Sequence, residues 1–221
     1  MTSKPKFEPL RFIAVEGPIR VGKTTLADIL AERLHAERLR DVEDNPFLES
    51  FYRDQPGAAF KAQFYFLVER FKQLSALDLA SSAHRTVVSD YLFEKDKIFA
   101  CLNLAETELA LYDQYYTLLA DQVPAPDLVV YLQAKPETLK KRIAKKNLAM
   151  EHRISDEYVE EVVQAYDHFF FHYKSSDLLV IETSEIDFVG RNEHLEELLT
   201  RLSQPVKGTQ YFLPLGSARS D

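Results

Sequence analysis

The segment GPIRVGKTT, residues 17–25, constrains this chain more than any other feature in it. It fits Gly-x-x-x-x-Gly-Lys-[Ser/Thr]. It sits between RFIAVEG (11–17), an apolar run of strand length, and a helical pattern from Val21 to about Leu34. Gly17 and Gly22 permit backbone angles that a Cβ forbids. The turn Gly17, Pro18, Ile19, Arg20, Val21, Gly22 can therefore wrap an anion and point backbone N–H groups inward. Lys23, Thr24 and Thr25 then open a helix whose N-terminus adds a favourable dipole. Lys23 reaches the β and γ phosphates of a bound nucleotide, and Thr24 offers a hydroxyl to Mg2+.

Three further apolar runs rich in β-branched residues follow: RTVVSD (85–90), DLVVYLQA (127–134) and DLLVIET (177–183). Each precedes a helical stretch. Residues 58–81 carry Phe60, Phe64, Leu67, Phe71 and Leu74 at three- and four-residue steps, residues 105–122 form another long helical pattern, Pro136 opens a helix, and Ser155 stands at the head of a helical stretch 155–174. Short buried strands alternating with helices imply βαβ units, hence a parallel sheet covered on both faces. No linker divides the core. Residues 1–9 read as a loose N-terminal tail, 10–203 as one α/β domain and 204–221 as a C-terminal tail.

Composition closes off several function classes. Among 221 residues, 27 are Lys or Arg and 35 are Asp or Glu, a formal net charge of −8. An acidic chain is poorly suited to a nucleic-acid backbone, which is gripped through cations. No apolar run reaches the ~18 residues of a membrane span, and the N-terminus lacks the apolar stretch of a secretion signal. The single cysteine, Cys101, excludes an internal disulfide and a thiolate metal cluster, so a cytoplasmic protein is expected.

A phosphate-binding loop with bound metal calls for an acidic partner. VVSD places Asp90 at the carboxyl end of an apolar strand, where ligands gather in open α/β sheets. No Asn-Lys-x-Asp segment for reading guanine is present. The residues to this point describe a nucleotide binder of the P-loop kind, and a small phosphotransferase.

Several segments beyond the loop resemble the deoxynucleoside kinase family: EGPIRVGKTTL (16–26), VEDNPFLESFY (42–52), AFKAQFYFLVERFKQL (59–74), VVSDYLFEKDKIFA (87–100), PDLVVYLQA (126–134) and ETLKKRIAKKNLAMEHRIS (137–155). The segment SDYLFEKDKIFA resembles the bacterial branch acting on purine deoxynucleosides more than the animal enzymes. The resemblance implies a three-layer fold of the P-loop NTPase type with a five-stranded parallel sheet flanked by helices. It implies a mobile lid, a homodimer built on long helices, and transfer of the γ-phosphoryl of ATP, with Mg2+, to the 5′-hydroxyl of a deoxynucleoside.

It also implies site residues. Gln63 and Arg70 lie seven apart, on one helix face, and suit a planar base edge. Asp96 reads the base too, or holds Arg70. Tyr52 and Glu151 hold the sugar 3′-hydroxyl. Arg142 meets the transferred phosphoryl, with Lys145 and Lys146 adding charge. Asp187 and Phe188 lie in the loop that packs on the adenine of ATP. Phe60 and Phe64 are core, or apolar contacts to the base.

Three positions depart from the family pattern. The family's catalytic glutamate falls at Arg40, leaving Asp41 or Glu43 to meet the 5′-hydroxyl. Tyr91 stands where many members carry arginine after the acid, and Leu148 replaces a lid arginine. Two other readings remain at this level: a nucleoside monophosphate kinase of the thymidylate kinase kind, and a nucleotide-binding module without phosphoryl transfer. Apolar faces on 58–81 and 105–122 exceed what one sheet covers, which favours a homodimer with itself as partner.

Overall fold

The structure, a computed structural model, describes residues 10–79, 86–147, 154–188 and 190–213. Six strands form one parallel sheet: β1 (Phe12–Glu16), β2 (Glu37–Leu39), β3 (Val87–Ser89), β4 (Leu128–Gln133), β5 (Asp177–Glu182) and β6 (Thr209–Phe212). Their order is β2-β3-β1-β4-β5-β6, and every neighbouring pair is parallel. The sheet therefore has one strand more than the five expected. The addition, β6, lies in the stretch read as a C-terminal tail, and it pairs with β5 from Leu178↔Thr209 to Ile181↔Phe212. As an edge strand it alternates exposed and half-buried residues, so it leaves no continuous apolar run in the sequence. Residues 1–9 and 214–221 lie outside the described residues.

Eight helices accompany the strands among the described residues: α1 (Lys23–Leu34), α2 (Leu48–Tyr52), α3 (Ala58–Ser75), α4 (Lys95–Asn103), α5 (Glu106–Ala120), α6 (Pro136–Lys146), α7 (Asp156–His172) and α8 (Asn192–Leu202). Two begin as their sequence signals require. Pro136 occupies the first turn of α6, and the Ser155 hydroxyl accepts the Tyr158 N–H at 3.1 Å to cap α7.

The two-residue period of the central strands sorts their side chains into two cores. Val15, Val130, Leu132, Leu179 and Ile181 pack with Leu26, Leu30 and Leu198 from α1 and α8. Ala14, Val129, Tyr131, Leu178 and Val180 face the other way, onto Ile98 of α4 and Val162, Tyr166 and Phe170 of α7. A third cluster joins α3 and α5 through Leu67, Leu74, Tyr112 and Tyr116. Helix α3 shows why the apolar spacing in 58–81 is only half of its story. Its buried line is Ala58, Ala62, Gln63, Leu67, Arg70 and Leu74, while Phe60, Phe64 and Phe71 are half-buried at the side of it.

Strand β1 lies between β3 and β4, and the chain runs outward from it in both directions. This is the switch point of the sheet, where the loops at the carboxyl ends part and leave a crevice. The turn from β1 to α1, the end of β2 and the end of β3 all open there.

Candidate active site

Backbone geometry shapes the turn after β1. Gly17 has φ +150, and a Cβ there would stand 2.4 Å from the Leu132 carbonyl oxygen; Gly22 has φ +113, and a Cβ would stand 2.6 Å from Cζ of Phe188. A side chain at Gly17 would collide with backbone, and one at Gly22 would strain the turn against the Phe188 ring. Lys23 folds its amine over the turn and donates to the carbonyls of Gly17 at 2.6 Å and Pro18 at 3.2 Å. Burial lowers its pKa to about 8, against the opposing pull of Glu16. Glu16 is fully buried and accepts the N–H of Gly17 and of Leu92, each at 2.8 Å, and the Tyr166 hydroxyl at 3.2 Å. One carboxylate thus ties the turn to the segment after β3 and to α7.

Thr24 and Asp90 meet as hard oxygen donors should around a divalent ion. The Thr24 hydroxyl donates to Oδ2 of Asp90 at 2.7 Å. Burial alone would push Asp90 up, but hydrogen bonds from Arg38, Thr24 and the Asp41 backbone hold it below the ordinary carboxylate range. Arg38 lies 2.9 Å from Oδ2 of Asp90 and 2.7 Å from Asp28 on α1. No group of three or more His, Cys, Asp or Glu side chains converges among the described residues. Mg2+ needs no such cage, because it keeps water and phosphate oxygens and takes one or two protein ligands. Thr24 and Asp90 fit that pattern.

The Asp41 N–H donates to the other Asp90 oxygen, Oδ1, at 2.8 Å. This bond turns the Asp41 side chain inward, where its carboxylate accepts Nε of Arg70 at 2.8 Å and Nη2 at 3.1 Å, and meets the Lys95 amine. Burial opposes ionisation of Asp41, yet the charges of Arg70 and Lys95 hold its pKa far below the usual carboxylate value. The loop is seated on α3 by Asn45, whose Nδ2 donates to the Ala62 carbonyl at 2.9 Å while its Oδ1 accepts the Phe47 N–H at 2.9 Å. Arg70 also reaches Oδ1 of Asp96 and stacks its guanidinium 4.6 Å from the Phe66 ring. Gln63 donates to Asp96 Oδ1 at 2.8 Å and to the Asp96 carbonyl at 3.0 Å. Burial pushes Asp96 up to about 6 despite Arg70, and its Oδ2 is buried with no hydrogen bond. A polar edge arriving here finds an acceptor waiting.

The candidates named from sequence separate accordingly. Thr24, Asp90, Asp41, Arg70, Asp96 and Gln63 form one hydrogen-bonded set, and Lys23 sits beside it on the carbonyls of the turn. Glu43 is exposed. Arg40 points outward, 3.1 Å from Asp28. Tyr52 is half-buried at the end of α2, its ring 5.4 Å from Phe51. Arg142 donates to backbone carbonyls of Val21 at 3.1 Å, Thr183 at 2.8 Å and Ile186 at 3.4 Å. It therefore clamps the phosphate-binding turn to the loop after β5. Phe188 is buried against Gly22. Asp187 accepts the Gly190 N–H at 2.7 Å and donates its own N–H to Nδ1 of His194 at 2.9 Å. Lys145 and Lys146 are exposed in the last turn of α6. Phe60 and Phe64 stack at 5.7 Å beside the third core cluster. Glu151 and Leu148 lie outside the described residues.

Sequence reasoning passed over Glu16, Arg38 and Lys95. Each adjoins a residue that was singled out or stands on a three-residue strand, and none carries a motif of its own; only the distances reveal them.

Comparison with known proteins agrees with this geometry. Residues 13–207 match the family model described as deoxynucleoside kinase. The chain is 32% identical to deoxyguanosine kinase of Bacillus subtilis over 199 residues, covering 87% of this chain and 96% of that one. It is 29% identical to deoxyadenosine/deoxycytidine kinase of the same organism, covering 90% and 94%. A solved structure of deoxyadenosine kinase from M. mycoides with bound dATP superposes with a TM-score of 0.73 at 26% identity, covering 87% of this chain and all of that one.

Proposed function

From the premise that this chain belongs to the deoxynucleoside kinase family and is a phosphotransferase acting on deoxynucleosides, we propose that it carries the γ-phosphoryl of ATP to the 5′-hydroxyl of a purine deoxynucleoside, deoxyadenosine first among them. The observation that carries this reading is one shared residue. Asp41 is bonded through its N–H to Asp90, the partner of Thr24 in the phosphate loop, and through its side chain to Arg70 of the Gln63–Arg70–Asp96 cluster. A phosphate cradle and a cluster shaped for a base edge therefore meet at one point, where a 5′-hydroxyl belongs. The purine preference is supported by relatives named deoxyguanosine and deoxyadenosine kinases.

Lys23, the loop N–H groups and the start of α1 take the triphosphate. Thr24 and Asp90 would hold Mg2+, which when bound neutralises phosphate charge. Gln63, Arg70 and Asp96 read the base, and Tyr52 with Glu151 the sugar. The O5′–P bond forms as the bond from phosphorus to the bridging oxygen breaks, and ADP leaves with the electron pair. The hydroxyl proton ends on a phosphoryl oxygen of the product and exchanges with water. Asp41, kept ionised by two cations, is a weak proton acceptor, so its part is to align the hydroxyl; a loose transition state demands alignment more than deprotonation. Arg142 holds the phosphate loop in shape, and contact with a phosphoryl oxygen requires it to give up its carbonyl bonds. Asp187 and Phe188 flank the adenine side.

A homodimer in the cytoplasm completes the proposal. It is supported by exposed Leu111, Tyr115 and Leu118 on one side of α5, spaced four and three apart, and light scattering tests it. No helix among the described residues is long and apolar enough to cross a membrane.

The decisive assay offers all four deoxynucleosides with ATP and Mg2+ and measures monophosphate formed. Turnover is expected, with a purine giving the highest kcat/KM. No turnover with any nucleoside overturns the reading, and a pyrimidine preference overturns the choice of base.

A further inference from the structure

We propose that Lys95 is a catalytic residue of this transfer: its ammonium contacts the acceptor oxygen and the moving phosphoryl group. The inference rests on the kinase reading and adds a residue to it.

Lys95 is placed where a structural lysine does not belong. It is the first residue of α4, where the helix dipole is positive and repels a cation. It is also 5% exposed, and a lysine is rarely buried unless an anion compensates it. The compensation here is incomplete. Lys95 bonds Asp41, but Asp41 is shared with Arg70, which takes both of its oxygens. An ammonium has three N–H groups to place, and among the described residues Lys95 directs one to a protein acceptor. The ammonium of Lys95 and the N-terminus of α4 thus bring positive charge to the crevice against Asp41, which Lys95 shares with Arg70, and the more distant charge of Asp96. A phosphoryl group in transfer supplies a further anion for the N–H groups that Lys95 has left to place.

Tyr91 excludes the neighbouring alternative. Its ring lies 5.9 Å from both the Arg70 guanidinium and the Lys95 amine, and its hydroxyl donates away from the crevice, to Gln73 at 2.8 Å. Position 91 brings no charge, so this wall of the pocket draws its cation from Lys95. During transfer the amine leaves Asp41 for oxygens whose charge grows as the bond to ADP breaks, which stabilises the transition state more than the bound substrate.

The rival explanation is that Lys95 only neutralises Asp41. The experiment compares wild type, K95M, K95R, D41N and the double variant D41N/K95M, measuring kcat and KM for the preferred deoxynucleoside at saturating ATP and Mg2+, with a melting curve for each. K95M is expected to lower kcat by about 10²–10³-fold with little change in KM, the signature of an interaction made in the transition state. K95R should recover part of that loss. D41N/K95M should be slower than D41N by a similar factor. Because the double variant strands no carboxylate, it serves as the test even if K95M does not fold. Wild-type kcat in K95M, or a double variant as fast as D41N, overturns the inference and leaves the kinase reading intact. Wild type inert on all four deoxynucleosides overturns both.

Discussion

Between Gly17 and Thr25 the phosphate-binding turn holds its shape with backbone. Two glycines with positive φ make room for the Leu132 carbonyl and the Phe188 ring, and Lys23 caps carbonyls only five and six residues behind it. The charged cluster beside it is assembled from side chains on three separate elements: Asp41 after β2, Gln63 and Arg70 on α3, Lys95 and Asp96 on α4. The first region is local and depends on a few residue types. The second is a balance of buried charges, in which removing one member strands another. Damage to the turn should therefore show as lost chemistry or local strain, and damage to the cluster as lost stability that varies with pH.

The sharpest contrast comes from Lys23→Ala. It removes the cation on the phosphates and is expected to cost about 10³-fold in kcat at nearly unchanged melting temperature; activity within tenfold of wild type would break the assignment of the turn as the donor site. Arg70→Ala should add a large loss of stability to its loss of substrate binding. It leaves Asp41 and Asp96 sharing the single charge of Lys95, at a cost of about 3–5 kcal/mol in unfolding free energy, read by urea titration. Gly22→Ala lies between these, because the new Cβ needs a left-handed φ and meets Phe188; about 1–3 kcal/mol of strain is expected. Phe188→Ala in the same chain should relieve the contact but not the dihedral penalty.

The two carboxylates on Arg70 offer a finer test, since they titrate in opposite directions. Asp96 is raised by burial to about 6, above its unfolded value near 4, so its contribution is present below pH 4 and fades as the pH rises through 6. Asp96→Asn should gain on wild type by roughly 1–3 kcal/mol between pH 4 and pH 6. Asp41 is lowered, so its contribution holds above pH 4 and is lost on further acidification, a loss absent from Asp41→Asn. Parallel stability curves for the two variants would refute the charge balance. The smallest effect belongs to Arg40→Glu. Its side chain is 56% exposed beside Asp28, and such pairs are worth about 0–1 kcal/mol, so activity within about twofold is expected; a larger gain or loss would place position 40 inside the pocket.

Much of this was legible beforehand, for identifiable reasons. β1, β3, β4 and β5 are buried on both faces, so each leaves a continuous apolar run. β2 and β6 are short edge strands with exposed positions, and their composition carries no such mark. The phosphate loop could be read because its residues are contiguous and their types are demanded by φ and by charge. The choice between Asp41 and Glu43 could not, since both are acids in a highly charged stretch. It is made by one backbone hydrogen bond to Asp90, which turns Asp41 inward and leaves Arg40 outside. Lys95 escaped notice for the same reason: a lysine in a helix looks solvated until its neighbours are known.

The sequence by itself determined the alternation of strand and helix, the phosphate-binding turn and the family, because these follow from periodicity and from residues adjacent along the chain. Only the tertiary structure decided which acid enters the pocket, which cations face it and how each carboxylate titrates. Those outcomes depend on distances between segments dozens of residues apart and on how much water the packing excludes between them, and neither quantity is written in any local stretch of residues.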